Sequence, residues 1–288
     1  RKMNFSALEQ IRALRDWYYE FDLGGYKTPA ARPEWAIRHR MRRQYLMGPV
    51  LKLFGGTLAG RRVLDLGCNE GYFTQAALEA GAAFVLGLDE QQEKLARARL
   101  VLETIEIPAD RYELRCADAE TLQPSDGPFD LVLLLGMLHW LPVQKTLKLL
   151  ETLGQIQPEV VLVDTVLFAA EGPVLRLRRE SLGPMDPYRD QRVCLLPSAT
   201  GLLELMGSFG YRGVILKPEF SDWTGSEDYQ TGVRRGFLFA RTLDLSGLTV
   251  PVQSTLTAGQ DISLQDASWK DLLKALGRKL LRKLRRRP

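Results

Sequence analysis

The sequence predicts an α/β fold: a doubly wound, mainly parallel sheet of about seven strands, with N-terminal helices before it and a C-terminal basic amphipathic helix after it. Two observations predict the sheet. From residue 61 onward, short apolar runs alternate with segments of helical spacing. The first run, Arg62–Leu66, is followed by a loop bounded by Gly67 and Gly71 and then by helical spacing. A strand, a tight turn and a helix N-terminus in this order let the backbone approach a nucleotide-like ligand closely.

Composition describes an ordinary globular chain and restricts its chemistry. The 288 residues suffice for one or two domains, and 45% of them are hydrophobic. Three scattered cysteines fit a reducing compartment, and together with two histidines they offer no metal-ligand spacing, so we expect no metal site. We find no apolar run of membrane-spanning length and no signal-peptide core at the start. We therefore expect a cytoplasmic protein, and the first residue, Arg1, suggests a piece of a longer polypeptide.

Residues 1–60 predict a helical cap on the substrate side of the sheet. Apolar side chains recur every three or four residues over 5–23, which predicts an amphipathic helix, and a second helix is predicted over 34–54. The second helix carries a cluster of basic side chains: Arg38, Arg40, Arg42 and Arg43. Two interpretations stay open, a solvated face and a surface for an anionic substrate or partner.

The main domain is predicted over 61–241. Its strands are predicted at 62–66, 83–88, 111–117, 129–135, 159–164, 211–217 and 235–241, and its helices at 72–80, 91–104, 142–156 and 198–209. The segment 165–197 is long and rich in Arg and Pro, and a loop of that length in a compact domain indicates a functional insertion.

Charge separates the end of the chain from its body. The formal net charge is +4, but residues 270–288 carry +8, so the remainder carries −4. A polar stretch over 242–267 predicts a linker. Leucines on one face of 268–288 and basic residues on the other predict an amphipathic helix. Such a helix suits an anionic membrane surface, here the inner face of the membrane, or packing on its own domain or on a partner.

Four acidic or polar positions follow successive predicted strands, at the edge where open α/β sheets bind ligands. They are Asp65, Asp89, Asp118 and the segment Gly136–Trp140. Asp89 stands 22 residues beyond Gly67, the spacing at which an acid accepts ribose hydroxyls. An adenine amino group needs an acceptor such as Asp118. Any one acid could instead cap the next helix, but four positions in this order indicate a nucleoside site.

With these motifs, residues 61–164 resemble the class I S-adenosylmethionine-dependent methyltransferases, a family with a Rossmann-like sheet. The resemblance implies S-adenosyl-L-methionine as the cofactor and a glycine loop that lines its methionine part. It also implies that Asp65 holds the loop and faces the amino group, that Asp89 binds the ribose, and that Asp118 binds the adenine. The cofactor residues implied in this way are Asp65, Gly67, Cys68, Asn69, Gly71, Asp89, Asp118, Ala119 and Gly136.

A narrower resemblance concerns the family that carboxymethylates the tRNA wobble uridine, together with its small-molecule relatives. It rests on Glu34-Trp35, Met137–His139 and Val193–Ser198. Two positions depart from the family pattern: its tyrosine before the histidine is Leu138 here, and its arginine near 191 is Gln191. In that family both side chains would contact the carboxylate of a carboxylated cofactor. The resemblance therefore implies ordinary S-adenosylmethionine and the small-molecule branch.

The predicted reaction is methyl transfer to a small molecule, sugar or glycan, at oxygen. An oxygen nucleophile loses a proton on methylation, and His139 is the only histidine that the sequence puts near the site. It is therefore the candidate general base, and a shape-setting role beside Trp140 is the alternative. Trp35, Trp140 and Arg192 are candidate substrate contacts. RNA methylation and a non-catalytic interaction module are the competing functions. The net negative charge of the chain before residue 270 disfavours binding to nucleic acid.

Overall fold

The structure, a computed structural model, describes residues 4–179 and 193–248. The strands are β1 (Asp22–Leu23), β2 (Tyr26–Lys27), β3 (Arg62–Leu66), β4 (Phe84–Asp89), β5 (Tyr112–Cys116), β6 (Leu131–Leu135), β7 (Val160–Val166), β8 (Leu175–Arg179), β9 (Val193–Pro197), β10 (Arg212–Ile215) and β11 (Arg234–Ala240). The helices are α1 (Phe5–Ala13), α2 (Pro33–Leu53), α3 (Tyr72–Glu79), α4 (Gln92–Thr104), α5 (Val143–Ile156), α6 (Ala199–Gly207) and α7 (Glu227–Gln230). The predicted amphipathic helix over 268–288 and most of the predicted linker lie outside the described residues.

Seven strands form one sheet in the order β10-β11-β7-β6-β3-β4-β5. The strands from β7 to β5 pair in parallel, and β11 is antiparallel to both of its neighbours. The strand order reverses between β3 and β6, so their carboxyl ends flank a topological switch point. All seven strands begin and end within two residues of their predicted bounds. The predicted doubly wound fold of about seven strands is therefore confirmed.

Helices cover both faces of the sheet. Alternate residues of β3 and β6 enter two hydrophobic clusters, one on each face: Val63, Leu131 and Leu133 in the first, and Leu64, Leu66, Val132 and Leu134 in the second. Side chains of α2, α3 and α4 pack in the first cluster, and those of α5 and α6 pack in the second. Because both faces are buried, the central strands are almost continuously apolar, which is why the sequence marks them so clearly.

The predicted helix over 5–23 is wrong beyond Ala13, where α1 ends. The fully buried carboxylate of Glu70, in the glycine loop, accepts hydrogen bonds from the backbone N–H of Tyr18 at 2.9 Å and of Tyr19 at 3.1 Å. A helix would have used those two N–H groups within itself. The contact with the loop instead holds this segment beside the start of α3, where Tyr19 stacks on Tyr72.

The predicted insertion over 165–197 contributes a strand pair beside the sheet. β8 and β9 are antiparallel, from Leu175 opposite Pro197 to Arg179 opposite Val193. An isolated bridge between Cys194 and the residue before α5 joins this pair to the main domain. Over the residues that the structure describes, no helix has both the length and the apolar content needed to cross a bilayer.

Candidate cofactor and substrate site

The glycine loop between β3 and α3 requires both of its glycines. Gly67 and Gly71 have φ angles of 67° and 79°. A Cβ on Gly67 would lie 2.9 Å from Sδ of Met137, and a Cβ on Gly71 would lie 2.9 Å from Cβ of Ala98. Asn69 also has a positive φ, 52°, and its side-chain oxygen accepts the next backbone N–H at 2.7 Å. An asparagine thus occupies a left-handed position that most side chains avoid.

Two of the predicted acids flank this loop. Asp65 is 2% exposed and accepts a hydrogen bond from Oγ1 of Thr74 at 2.7 Å. Burial raises the pKa of Asp65 to about 7. Asp89, at the end of β4, accepts the backbone N–H of Asn69 and of Gln91, each at 2.9 Å and on different oxygens. Since a carboxylate has about four lone-pair sites, Asp89 retains the capacity to accept two hydroxyls.

Asp118 follows β5 and carries a partner that the sequence did not reveal. Its carboxylate accepts the backbone N–H of Glu120 at 3.0 Å and pairs with the ammonium of Lys145 on α5. Lys145 also lies 3.8 Å from the carboxylate of Glu90. Asp118 is therefore tied to α5, and a ligand group that bound Asp118 would share its carboxylate with the ammonium of Lys145.

The other predicted cofactor residues lie beside these acids. Cys68 is 4% exposed, and burial raises the pKa of its thiol, so the thiol stays protonated and packs as an apolar group. Ala119 is buried directly after Asp118. Gly136 begins the segment after β6 with a φ of 85°. The assignment of all these residues to the cofactor stays a prediction.

A buried ionic cluster, which the sequence prediction missed, lies next to Gly136. Asp164, in β7, is fully buried. It accepts hydrogen bonds from Nη2 of Arg42 at 2.5 Å, from the hydroxyl of Tyr229 at 2.8 Å and from Nε of Arg234 at 3.1 Å. Burial alone would raise the pKa of Asp164, but the two arginines outweigh burial and hold it below its ordinary value. The cluster joins α2, β7, α7 and β11 at the carboxyl edge of the sheet.

Gly136 allows this cluster to reach the site. A Cβ on Gly136 would lie 2.7 Å from Nη2 of Arg234, so only glycine lets the guanidinium lie against the segment after β6. The backbone N–H of Gly136 donates to the carbonyl of Asp164 at 2.8 Å. One sequence signal could have found the cluster: Asp164 ends the predicted strand 159–164, as Asp65 and Asp89 end theirs.

The arginine cluster of α2 is not a solvated face. Arg38 forms two hydrogen bonds with the carboxylate of Asp228, at 2.6 and 2.7 Å, and Arg43 lies 2.6 Å from the carboxylate of Glu79. With Arg42 inside the buried cluster, Arg40 is the exposed member of the four. Three of these four side chains pair with carboxylates of the same chain, so the interpretation as a solvated face is wrong for them, and the interpretation as a surface for an anionic substrate or partner stays a prediction.

His139 is 4% exposed, and its Nδ1 lies 3.2 Å from Oγ1 of Thr165. Burial and then Arg234 lower the pKa of His139 to about 3. The imidazole is therefore neutral at physiological pH and is a weak base, and its role in catalysis stays a prediction. Trp140 is 48% exposed, with its ring centroid 5.6 Å from that of His139.

The second histidine also lies close to the site, so the expectation that His139 is the only one nearby is wrong. His39 is 1% exposed and stands one helical turn before Arg42 on α2. Trp35, the predicted substrate residue on α2, is half-buried, with its ring centroid 4.8 Å from that of Tyr18. The third candidate, Arg192, lies outside the described residues.

Comparisons with known proteins agree with this geometry. A family profile described as "Methyltransferase domain" matches residues 63–156. The tRNA U34 carboxymethyltransferase of Marinobacter nauticus is 31% identical over 213 residues, which cover 70% of this chain and 61% of that protein. The ubiquinone biosynthesis O-methyltransferase of Neisseria meningitidis serogroup A is 35% identical over 86 residues, which cover 30% of this chain and 35% of that protein. The chain thus spans less than two thirds of either relative.

Among solved structures, the N-terminal domain of EvdMO1 with S-adenosylhomocysteine bound has the same fold. It superposes with a TM-score of 0.61 at 20% identity, covering 84% of this chain and 98% of that one. Magnesium protoporphyrin IX methyltransferase from Synechocystis PCC 6803 superposes with a TM-score of 0.51 at 16% identity, covering 83% and 91%.

Residues 63–156 therefore match a methyltransferase domain, and the chain has the Rossmann-like fold of the class I methyltransferases, a class whose cofactor is S-adenosyl-L-methionine. The described residues fit this cofactor. A glycine loop without room for a Cβ lies next to two acids, Asp65 and Asp89, and a third acid, Asp118, follows the neighbouring strand. Carboxylates suit an ammonium group, ribose hydroxyls and an adenine amino group.

Proposed function

We propose that the protein transfers a methyl group from S-adenosylmethionine to an oxygen atom of a small molecule, sugar or glycan. One observation disfavours RNA as the methyl acceptor. Three of the four arginines on α2 that could have formed a basic surface beside the site are bound by internal carboxylates. A nucleic-acid binder needs such side chains free to contact phosphate.

In this reaction the residues of the chain would bind the cofactor and position the acceptor. The cofactor supplies an electrophilic methyl group, so the protein has to position the acceptor and exclude water. Asp65 and Asp89 would hold the cofactor through its amino group and its ribose, respectively. The ionic cluster of Arg42, Asp164 and Arg234 fixes the segment after β6, which carries His139 and Trp140 toward the acceptor. The name of the Neisseria relative, an O-methyltransferase, supports oxygen as the attacking atom.

Methyl transfer can be tested before the acceptor is identified. The full chain is incubated with isotope-labelled S-adenosylmethionine and, in parallel, with the small-molecule extract and the RNA fraction of the cells that produce it. We expect label in a small molecule whose mass rises by one methyl group, and much slower transfer by an Asp89→Ala variant at a subsaturating concentration of S-adenosylmethionine. Label confined to RNA, or absent from both fractions, would refute the proposal.

Modification of tRNA is the second candidate function. It is favoured by the match to tRNA U34 carboxymethyltransferases, which extends over 70% of this chain. The basic segment predicted at 268–288 could supply the phosphate contacts that the arginines of α2 do not provide. Tight tRNA binding that weakens steeply with salt, together with label in the wobble position, would favour this function. Weak binding without RNA methylation would remove it.

A further inference from the structure

His39 is buried without a hydrogen-bond partner. Its side chain is 1% exposed, and neither Nδ1 nor Nε2 has a partner among the residues that the structure describes. A neutral imidazole presents one donor and one acceptor, and burying such groups unsatisfied destabilises a fold. A leucine or phenylalanine would fill the same space without that penalty. The unsatisfied histidine therefore indicates a partner that arrives with a ligand.

The surroundings of His39 are aromatic. Its ring centroid lies 4.8 Å from that of Tyr18, 4.4 Å from that of Tyr19, and 6.3 Å from those of Trp35 and Tyr72. Tyr19 and Tyr72 stack with their planes 1° apart and are buried. Tyr18 and Trp35 are half-buried and form the outer side of the group. Flat rings with one polar group at their centre suit a ring-shaped ligand that bears a polar substituent.

These aromatic side chains lie next to the glycine loop, at the carboxyl edge of the sheet. Tyr72 begins α3 directly after Gly71, and Glu70 in the glycine loop holds the backbone of Tyr18 and Tyr19. On the other side, Arg42 stands one turn beyond His39 and reaches the cluster beside Gly136. His39 therefore lies between the two loops that flank the switch point of the sheet.

Protonation does not compete with ligand binding at this imidazole. Burial lowers the pKa of His39 far below its ordinary value, and Arg42, Arg38 and Arg234 lower it further. The ring is neutral throughout the physiological range, so one nitrogen accepts and the other donates. A hydroxyl group, which both donates and accepts, can hydrogen-bond whichever of the two nitrogens faces it.

We propose that His39 binds the methyl acceptor, and that the acceptor is a hydroxylated ring compound whose hydroxyl hydrogen-bonds the imidazole when Tyr18 and Trp35 move apart. The proposal rests on the proposed small-molecule methyl transfer and adds the chemical class of the acceptor. It assigns a substrate contact on α2, apart from the predicted residues of the segment after β6.

NMR can follow the His39 imidazole directly, because the sequence contains only two histidines. The full chain, saturated with S-adenosylhomocysteine, is titrated with catechol while the imidazole nitrogens are followed by NMR. A His39→Leu variant, or a His139→Gln variant, assigns the two sets of signals. Toluene supplies a matched ring without hydroxyls. Shifts of the His39 signals with catechol but not with toluene support the proposal, and shifts of neither histidine, or of His139 alone, overturn it.

Activity gives a second, independent test. His39→Leu should keep its affinity for S-adenosylhomocysteine and its thermal midpoint, because it removes an unsatisfied polar group. Its kcat/KM for the small-molecule acceptor should fall at least about tenfold, and His39→Gln should recover part of that loss. An unchanged kcat/KM in His39→Leu overturns the proposal. If no small molecule is methylated, the proposed function fails, whereas the catechol titration still decides the role of His39.

Discussion

Replacement of Asp164 by asparagine tests the buried ionic cluster. The substitution keeps the shape of the side chain but removes the charge that two arginines share, and Arg42 and Arg234 are only 4% and 11% exposed. Removing one partner of a buried ion pair costs about 3–5 kcal/mol, because it leaves uncompensated charge in a poorly solvated place. The free energy of unfolding should fall by that amount.

Thermal and urea-induced unfolding at pH 7 measure this loss. For a domain of this size about 1 kcal/mol corresponds to roughly 2–4 °C, so the midpoint should fall by about 6–20 °C. The contribution of Asp164 is complete at pH 7, because its pKa in the fold lies below that in the unfolded chain. It is lost only as the pH falls through the lower value.

Glu113→Gln is a matched control, since it removes a carboxylate from a pair on the surface. Glu113 is 47% exposed and lies 2.8 Å from Nε of Arg115, and exposed pairs of this kind contribute about 0–1 kcal/mol. If Asp164→Asn destabilises the protein by no more than this control does, the ionic cluster does not hold α2 against β7 and β11 of the sheet. That result would refute the structural role of the cluster.

Three further predictions concern the site. Gly71→Ala should lower the free energy of unfolding by about 2–4 kcal/mol, because the new Cβ would meet Ala98 and the φ angle of this residue is positive. Gly48→Ala is the control, since Gly48 lies on α2 with open space around it, and urea unfolding should show no destabilisation there. Asp89→Ala should weaken S-adenosylhomocysteine binding about 10- to 100-fold by calorimetry and lower the free energy of unfolding by about 1–3 kcal/mol, because it also removes the acceptor of two backbone N–H groups; unchanged affinity would remove its role. His139 stays neutral in the fold, whereas in the unfolded chain it takes up a proton below about pH 6.5. By pH 5 this difference should lower the free energy of unfolding by about 2 kcal/mol, and His139→Gln should lose that much less stability between pH 7 and pH 5. Urea unfolding measures both losses, and equal losses in the two proteins would contradict this prediction.

The sheet could be predicted from the sequence because its strands are buried on both faces. A continuous apolar run such as Leu131–Leu135 has few alternative structures once turn residues bound it. The acids could be placed for a related reason. Since the carboxyl ends of parallel strands meet at one edge, Asp65 and Asp89 come together whatever the helices between them do.

The N-terminal segment could not be predicted in the same way. Helical periodicity over 5–23 is real, but the buried carboxylate of Glu70 binds the N–H groups of Tyr18 and Tyr19 from 52 and 51 positions away. Local pattern carries no information about such a partner, and a tertiary contact of this strength overrides helix propensity. The aromatic group around His39 depends on that same contact.

The sequence by itself determined the fold class, the position of the glycine loop and the position of the acids at the strand ends, because each follows from local spacing along single strands and turns. Only the tertiary structure decided which side chains from other segments lie beside the glycine loop and the segment after β6. Arg42 and Asp164 meet across 122 positions, and His39 lies near Tyr72, directly after the glycine loop, because α2 packs against α3. Contacts between distant segments are set by packing and by the pairing of buried charge, which no local pattern records.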